Sequence, residues 1–68
     1  MGPRSTNEIV AFAVEAIRAG AQDAAAHYKE YAAVTMRAAF SVTWPIEAYR
    51  EHVQRRIEDG LQGKGPKP

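Results

Sequence analysis

A proline-free, alanine-rich stretch from Ser5 to Phe40 constrains the fold of this chain more than any other feature. It is rich in alanine, glutamate, arginine and glutamine, which all favour the helical backbone. Ser5 and Glu8 have capping-box spacing, in which each side chain satisfies a free backbone N–H group of the first turn; Thr6 or Asn7 is the alternative cap. The stretch therefore predicts one long helix of about 34 residues and about 50 Å.

The apolar residues of this stretch follow a heptad pattern. Steps of four and three residues alternate along Val10, Val14, Ile17, Ala21, Ala24, Tyr28, Tyr31, Thr35 and Ala38. Such spacing is typical of a helix that packs along one seam against another helix. A second stripe in the later half runs through Ala25, Ala32, Met36 and Phe40. The later half is therefore expected to bury a wider face than the first half.

Gly20 leaves the continuity of this helix open. A glycine inside a helix costs about 1 kcal/mol relative to alanine, which is too little to end a helix with this much local support. A continuous helix is therefore the favoured prediction. The alternative is a break at Gly20, which would give a monomeric three-helix bundle.

Pro45 separates the long helix from a second, shorter one. Proline disfavours helical geometry at Trp44 and is tolerated in the first turn of a new helix. The second helix is predicted over residues 46–59, with Thr43 as its cap and Trp44 as the alternative. Gly60 is the predicted stop signal at its C-terminus.

These elements indicate an all-α fold, with a long and a short helix folded as a helical hairpin. A chain of 68 residues is short enough to form one domain only. Residues 1–5 are predicted to be a flexible N-terminus and residues 6–61 a single helical domain. Residues 62–68, rich in glycine, lysine and proline, are predicted to be a disordered basic tail.

The unequal helix lengths predict a partner. The second helix, about 25 Å long, covers only half of the first. A second copy of the chain would cover the rest, giving a homodimeric four-helix bundle with two-fold symmetry. The predicted dimer interface consists of Val10, Ala13, Val14, Ile17, Ala21 and Ala24.

The sequence offers no catalytic or metal-binding pattern. It contains no cysteine, and its two histidines, His27 and His52, have no ligand spacing with other residues. Ser5 and Ser41 fall at predicted helix ends, where capping explains them. We therefore expect a protein that is not an enzyme and needs no cofactor or metal.

Charge and hydropathy restrict the partners. Six basic residues face eight acidic ones between Ser5 and Leu61, whereas a nucleic-acid module usually shows the reverse balance. The chain also has no run of about 20 apolar residues, the length that a membrane-spanning helix needs. A soluble cytoplasmic protein that binds neither nucleic acid nor membrane is expected.

Aromatic and arginine side chains are the usual anchors of protein–protein interfaces. Several lie in the later half of the long helix, at the turn and in the second helix. The predicted partner-binding residues are Tyr31, Trp44, Tyr49, Arg50 and Arg56. The target that they would contact is a larger protein.

In size, cysteine-free composition and lack of chemistry, the chain resembles small helical accessory proteins of phages and bacteria. These include anti-activators that sequester quorum-sensing transcription factors. The resemblance implies an inhibitor or anti-activator that occludes a surface of a larger regulatory protein or ATPase. One alternative is a small DNA-binding regulator or antitoxin that uses residues 46–59 as its recognition helix. The other is a structural or assembly subunit.

Overall fold

The computed structural model describes residues 5–40 and 44–63 of the chain. They form three helices, α1 (Thr6–Arg18), α2 (Gln22–Phe40) and α3 (Ile46–Leu61). No strand occurs within these two ranges, so the predicted all-α class is confirmed. Of the predicted flexible ends, residues 1–5 and 62–68, the parts at 1–4 and 64–68 lie outside the described residues.

α1 begins with the predicted capping box. The Ser5 hydroxyl accepts a hydrogen bond from the backbone N–H of Glu8 at 3.2 Å. The Glu8 carboxylate in turn accepts one from the backbone N–H of Ser5, also at 3.2 Å. These bonds satisfy free N–H groups of the first turn, and they fix the start of the helix where the sequence places it.

The prediction of one continuous helix from residue 7 to residue 40 is wrong, because the helix breaks at Gly20. Gly20 has a φ angle of +77°, a left-handed conformation that glycine adopts without steric cost. Its N–H donates to the carbonyl of Ile17 at 3.0 Å, and the N–H of Ala21 donates to Ala16 at 2.8 Å. This hydrogen-bond pair is a Schellman motif, which ends α1 and turns the chain back.

The break changes which face of α2 is buried. Ala25, Ala32 and Met36 of the second stripe are buried, whereas its last residue, Phe40, is exposed. Tyr31 and Ala38, which continue the predicted heptad seam, are exposed. A turn between α1 and α2 frees α2 to rotate about its own axis, so one seam does not run through both helices.

α3 differs from its prediction at both ends. Its N-cap position is Pro45, which supplies no side-chain hydrogen bond; Trp44 does not cap the helix, and Thr43 lies outside the described residues. The helix continues through Gly60 to Leu61 instead of stopping at residue 59. Gly60 instead allows close packing, because a Cβ atom there would lie 3.0 Å from the Cγ2 atom of Val14.

The three helices share one small core. Its largest fully buried side chains are Ile9, Val53 and Ile57. The other buried core members are Val10, Ala13, Val14, Ala32, Ala33, Met36 and Tyr49. At the edge, the Phe12 and Tyr28 rings stack with centroids 5.6 Å apart and so join α1 to α2. Because α2 and α3 cover the apolar side of α1, the length argument for a partner no longer applies.

Candidate functional site

Large apolar side chains remain exposed at several places on the described surface. They are Phe12, Ile17, Tyr31, Val34, Phe40, Trp44 and Leu61. Phe40 and Trp44 are the most exposed of these, at 64 % and 62 %. They flank the connection between α2 and α3, which makes this end of the bundle the leading candidate for a binding surface.

An open groove of about 480 Å³ lies between the end of α2 and the first half of α3. We call it the aromatic groove. Its lining residues are Met36, Phe40, Trp44, Ala48, Tyr49, Glu51, His52 and Arg55. Met36 and Tyr49 belong to the core, whereas Phe40 and Trp44 are exposed. The groove therefore joins the apolar interior of the bundle to two aromatic side chains that face solvent.

Trp44 is positioned by a core residue. Its ring lies 5.9 Å from the ring of Tyr49, centroid to centroid, at an interplanar angle of 40°. Tyr49 is only 3 % exposed and is therefore fixed by its packing. Its hydroxyl oxygen is buried and has no hydrogen-bond partner among the described residues. A packed tyrosine behind Trp44 limits the positions that the indole can adopt.

The polar side of the aromatic groove carries both signs of charge. Glu51, His52 and Arg55, all on α3, line it. All three are exposed, and none forms an ion pair with another described residue. The charges of Glu51 and Arg55 and the imidazole of His52 are therefore available to a bound molecule.

The arginine beside this region, Arg50, is already engaged. Its Nε and Nη2 atoms donate to the two carboxylate oxygens of Glu30 at 2.8 and 2.9 Å. Its Nη1 atom lies 3.7 Å from the carboxylate of Glu47. The hydrogen bond from Arg50 lowers the pKa of Glu30, and the same bond raises the pKa of Arg50. Arg50 thus links α3 to α2.

The structure separates the five predicted partner-binding residues. Trp44 lines the aromatic groove, and Tyr31 is exposed on the outward face of α2. Tyr49 is a core residue that reaches the wall of the aromatic groove but is only 3 % exposed. Arg50 is paired with Glu30, and Arg56 is partly buried. Only Trp44 and Tyr49 contact each other.

The six predicted dimer-interface residues do not form one exposed surface. Val10, Ala13 and Val14 are buried in the core of their own chain. Ala24 is partly buried, whereas Ile17 and Ala21 are exposed on either side of the break at Gly20. Three of the six residues are therefore covered within their own chain.

Sequence reasoning missed Phe40, His52 and Arg55 as site residues. Phe40 is four residues after Met36, so helical spacing assigned both to one buried stripe. Phe40 is the last residue of α2, however, and it is 64 % exposed. His52 and Arg55 follow Ala48 at steps of four and three, a signal that could have placed them on one face with Trp44.

Two features are absent from the described part of the chain, a cluster of metal ligands and a membrane-spanning helix. Residues 5–40 and 44–63 contain no group of three or more potential metal ligands. Within the same ranges, no helix combines the length and the hydropathy that crossing a bilayer requires.

The chain was compared with protein families, with curated proteins and with solved structures. It matches no family model. It also matches none of the curated proteins and none of the solved structures.

Proposed function

We propose that this chain is a non-enzymatic protein-binding module that works by occlusion. The observation that carries the proposal is the aromatic groove, where the two most exposed large apolar side chains, Phe40 and Trp44, flank an apolar depression. When the chain is bound to its target, the aromatic groove would cover an apolar segment of a larger protein. A target that needs that segment for its own activity would be inhibited.

The energetics favour the aromatic groove as the binding surface. Burying apolar area yields about 25 cal/mol per Å², and a fully buried aromatic side chain covers about 150–250 Å². Tryptophan is also among the residues that most often dominate interface affinity. Phe40 and Trp44 have the highest fractional exposure of the large apolar side chains on the described surface.

The unpaired charges around the groove suit a protein partner. A partner segment with apolar anchors and both an acid and a base nearby could pair with Glu51, His52 and Arg55. Mixed charge favours a protein surface over a nucleic acid, which would require a predominantly basic face. An inhibitor or anti-activator that binds a regulatory protein or an ATPase is the function we propose. A two-fold homodimer, which would present two grooves, remains part of the proposal.

A capture experiment with groove variants tests this function. Affinity-tagged protein would be incubated with an extract of the source cells, and the bound proteins would be identified by mass spectrometry. We expect a specific protein that is lost with Trp44→Ala and with Phe40→Ala. The matched control is Leu61→Ala, which removes an exposed apolar side chain outside the groove.

Trp44 also gives a direct measurement, because it is the only tryptophan in the chain. Binding of the captured protein should shift its fluorescence emission to shorter wavelength as the indole leaves water. Circular dichroism of each variant would verify that the helices are retained. If both groove variants capture the same protein as the unmodified chain, the aromatic groove is not the binding site.

A further inference from the structure

The outward face of α2 carries a second unpartnered surface, remote from the aromatic groove. Its exposed residues His27, Tyr31, Val34 and Ala38 follow one another at steps of four, three and four. This is the spacing of a coiled-coil seam. The two large apolar side chains, Tyr31 and Val34, lie in the middle of this series and are 40 % and 50 % exposed. We call this set the α2 seam.

A hollow on the α2 seam has the form of a coiled-coil hole. It measures about 330 Å³ and is lined by His27, Glu30, Tyr31 and Val34. These residues are at positions i, i+3, i+4 and i+7, which are the four positions that surround an inserted side chain in knobs-into-holes packing. No residue of the described chain inserts into this hole. The geometry suits one branched aliphatic side chain from a facing helix.

The seam is complementary to itself in the antiparallel direction. Its steps of four, three and four read the same from either end. A two-fold axis midway between residues 32 and 33 would therefore place Tyr31 opposite the partner's Val34 and His27 opposite the partner's Ala38. The hole is centred between residues 30 and 31, so the side chain that faces it across the axis is the partner's Val34. The same valine thus serves as a knob on one chain and lines a hole on the other.

We infer that α2 pairs antiparallel with α2 of a second copy, each Val34 inserting into the hole on the partner. This inference rests on the proposed homodimer and assigns its interface to the α2 seam in place of the α1 residues. It does not depend on what the aromatic groove binds. The dimer would leave Phe40 and Trp44 of both copies exposed, because neither residue belongs to the seam.

Charges beside the seam support a second copy as the occupant. Arg37 is exposed and forms no ion pair with another described residue. Glu30 lies on the same side of the α2 seam as Arg37. A two-fold axis perpendicular to α2 brings this side of one helix next to the same side of the other. The partner's Glu30 would face Arg37 with an offset of two residues, about 3 Å along the helix axis. The Glu30 side chain is 49 % exposed, so its carboxylate can accept a further donor beyond Arg50.

The length of the seam sets the strength of the dimer. From His27 to Ala38 it extends about 17 Å. A standard interface buries about 800 Å² on each partner, which is about a sixth of the 4997 Å² surface of this chain. One seam of this length covers less, so we expect a dimer that dissociates on dilution. Monomer and dimer should both be observable by light scattering between about 10 µM and 1 mM.

Cysteine cross-linking tests the pairing directly, since the chain has no cysteine of its own. Tyr31→Cys and Val34→Cys would be oxidised separately and as an equimolar mixture. In the antiparallel dimer residue 31 faces residue 34, so the mixture should form disulfide-linked dimers several-fold faster than either variant alone. A mixture of Leu61→Cys and Val34→Cys is the control, and it should cross-link only at the rate of random collision.

Light scattering of Val34→Asp completes the test. A carboxylate at this half-exposed position leaves the fold intact, which circular dichroism would verify, but it cannot enter an apolar hole. We expect this variant to be monomeric at concentrations where the unmodified chain is a dimer. An unmodified chain that stays monomeric throughout would overturn the homodimer. A dimer that survives Val34→Asp, or that cross-links equally fast in the single variants, would overturn the α2 seam as its interface.

Discussion

Arg50 and Glu30 form the only two-point ion pair between helices in the described chain, with N–O distances of 2.8 and 2.9 Å. The pair joins α3 to α2 across a surface that is otherwise open to water. Each side chain is about half exposed, at 48 % and 49 %, so the pair contributes modestly and is screened by salt. The contribution of this ion pair to the free energy of unfolding can be isolated by measuring stability at different pH values.

The hydrogen bond from Arg50 lowers the pKa of Glu30 relative to the unfolded chain. The pair therefore stabilises the fold above the unfolded pKa of glutamate, about 4.3, and its contribution is lost as the pH falls through the lower folded pKa. Glu30→Gln should be less stable than the unmodified chain at pH 7, by urea unfolding, and the difference should shrink as the pH falls through the lowered pKa of Glu30. Glu47→Gln, whose carboxylate lies 3.7 Å from Arg50, is the control and should change less. If the stability difference between Glu30→Gln and the unmodified chain did not change with pH, it would not arise from the ionised Glu30–Arg50 pair.

Gly20→Ala tests the break between α1 and α2. Space is not the obstacle, because no atom lies within 4 Å of a Cβ at this position. The cost is the φ angle of +77°, which we expect to lower the free energy of unfolding by about 1 kcal/mol. Gly20→Asn should lose less, since asparagine tolerates the left-handed region. Unchanged stability of Gly20→Ala would mean that this position is not left-handed in solution.

Local signals in the sequence were sufficient to predict some features of the fold and not others. The Ser5–Glu8 capping box and the start of α3 after Pro45 depend on neighbouring residues only, and both were predicted close to where they occur. The break at Gly20 depends on burial of Val10 and Val14 against distant residues. That gain acts together with the helix penalty of glycine, which at about 1 kcal/mol is too small to end the helix by itself, and helical periodicity contains no information about the gain.

Contacts between residues that are distant in sequence also limit the prediction of the site. Trp44 could be placed beside Pro45 and was predicted as a partner-binding residue, and the structure leaves its side chain 62 % exposed. Tyr49 and Arg50 are adjacent in sequence and were both assigned to a partner surface. The rotation of α3 against α2 directs Tyr49 into the core and Arg50 towards Glu30. The relative rotation of packed helices is a tertiary property that sequence spacing alone does not determine.

Gly60 and Val14 should show coupled effects on stability. Gly60→Ala favours the helical backbone by about 1 kcal/mol, but its methyl group would lie 3.0 Å from Val14 Cγ2. Val14→Ala removes that Cγ2 atom. Gly60→Ala should therefore be more favourable by about 1 kcal/mol in the Val14→Ala background than in the unmodified chain, measured by a double-mutant cycle in urea. Purely additive effects would show that α1 and α3 do not approach this closely at Gly60.

Tyr49→Phe should raise the stability of the chain. The Tyr49 hydroxyl oxygen is buried without a hydrogen-bond partner among the described residues, and an unsatisfied buried polar group costs about 1–3 kcal/mol. Phenylalanine keeps the ring that packs against Trp44 and removes only the hydroxyl group, so we expect a gain of about 1 kcal/mol, measured by thermal unfolding. Tyr31→Phe, at an exposed tyrosine, is the matched control and should leave stability unchanged. A loss of stability in Tyr49→Phe would show that the hydroxyl group is hydrogen-bonded in solution.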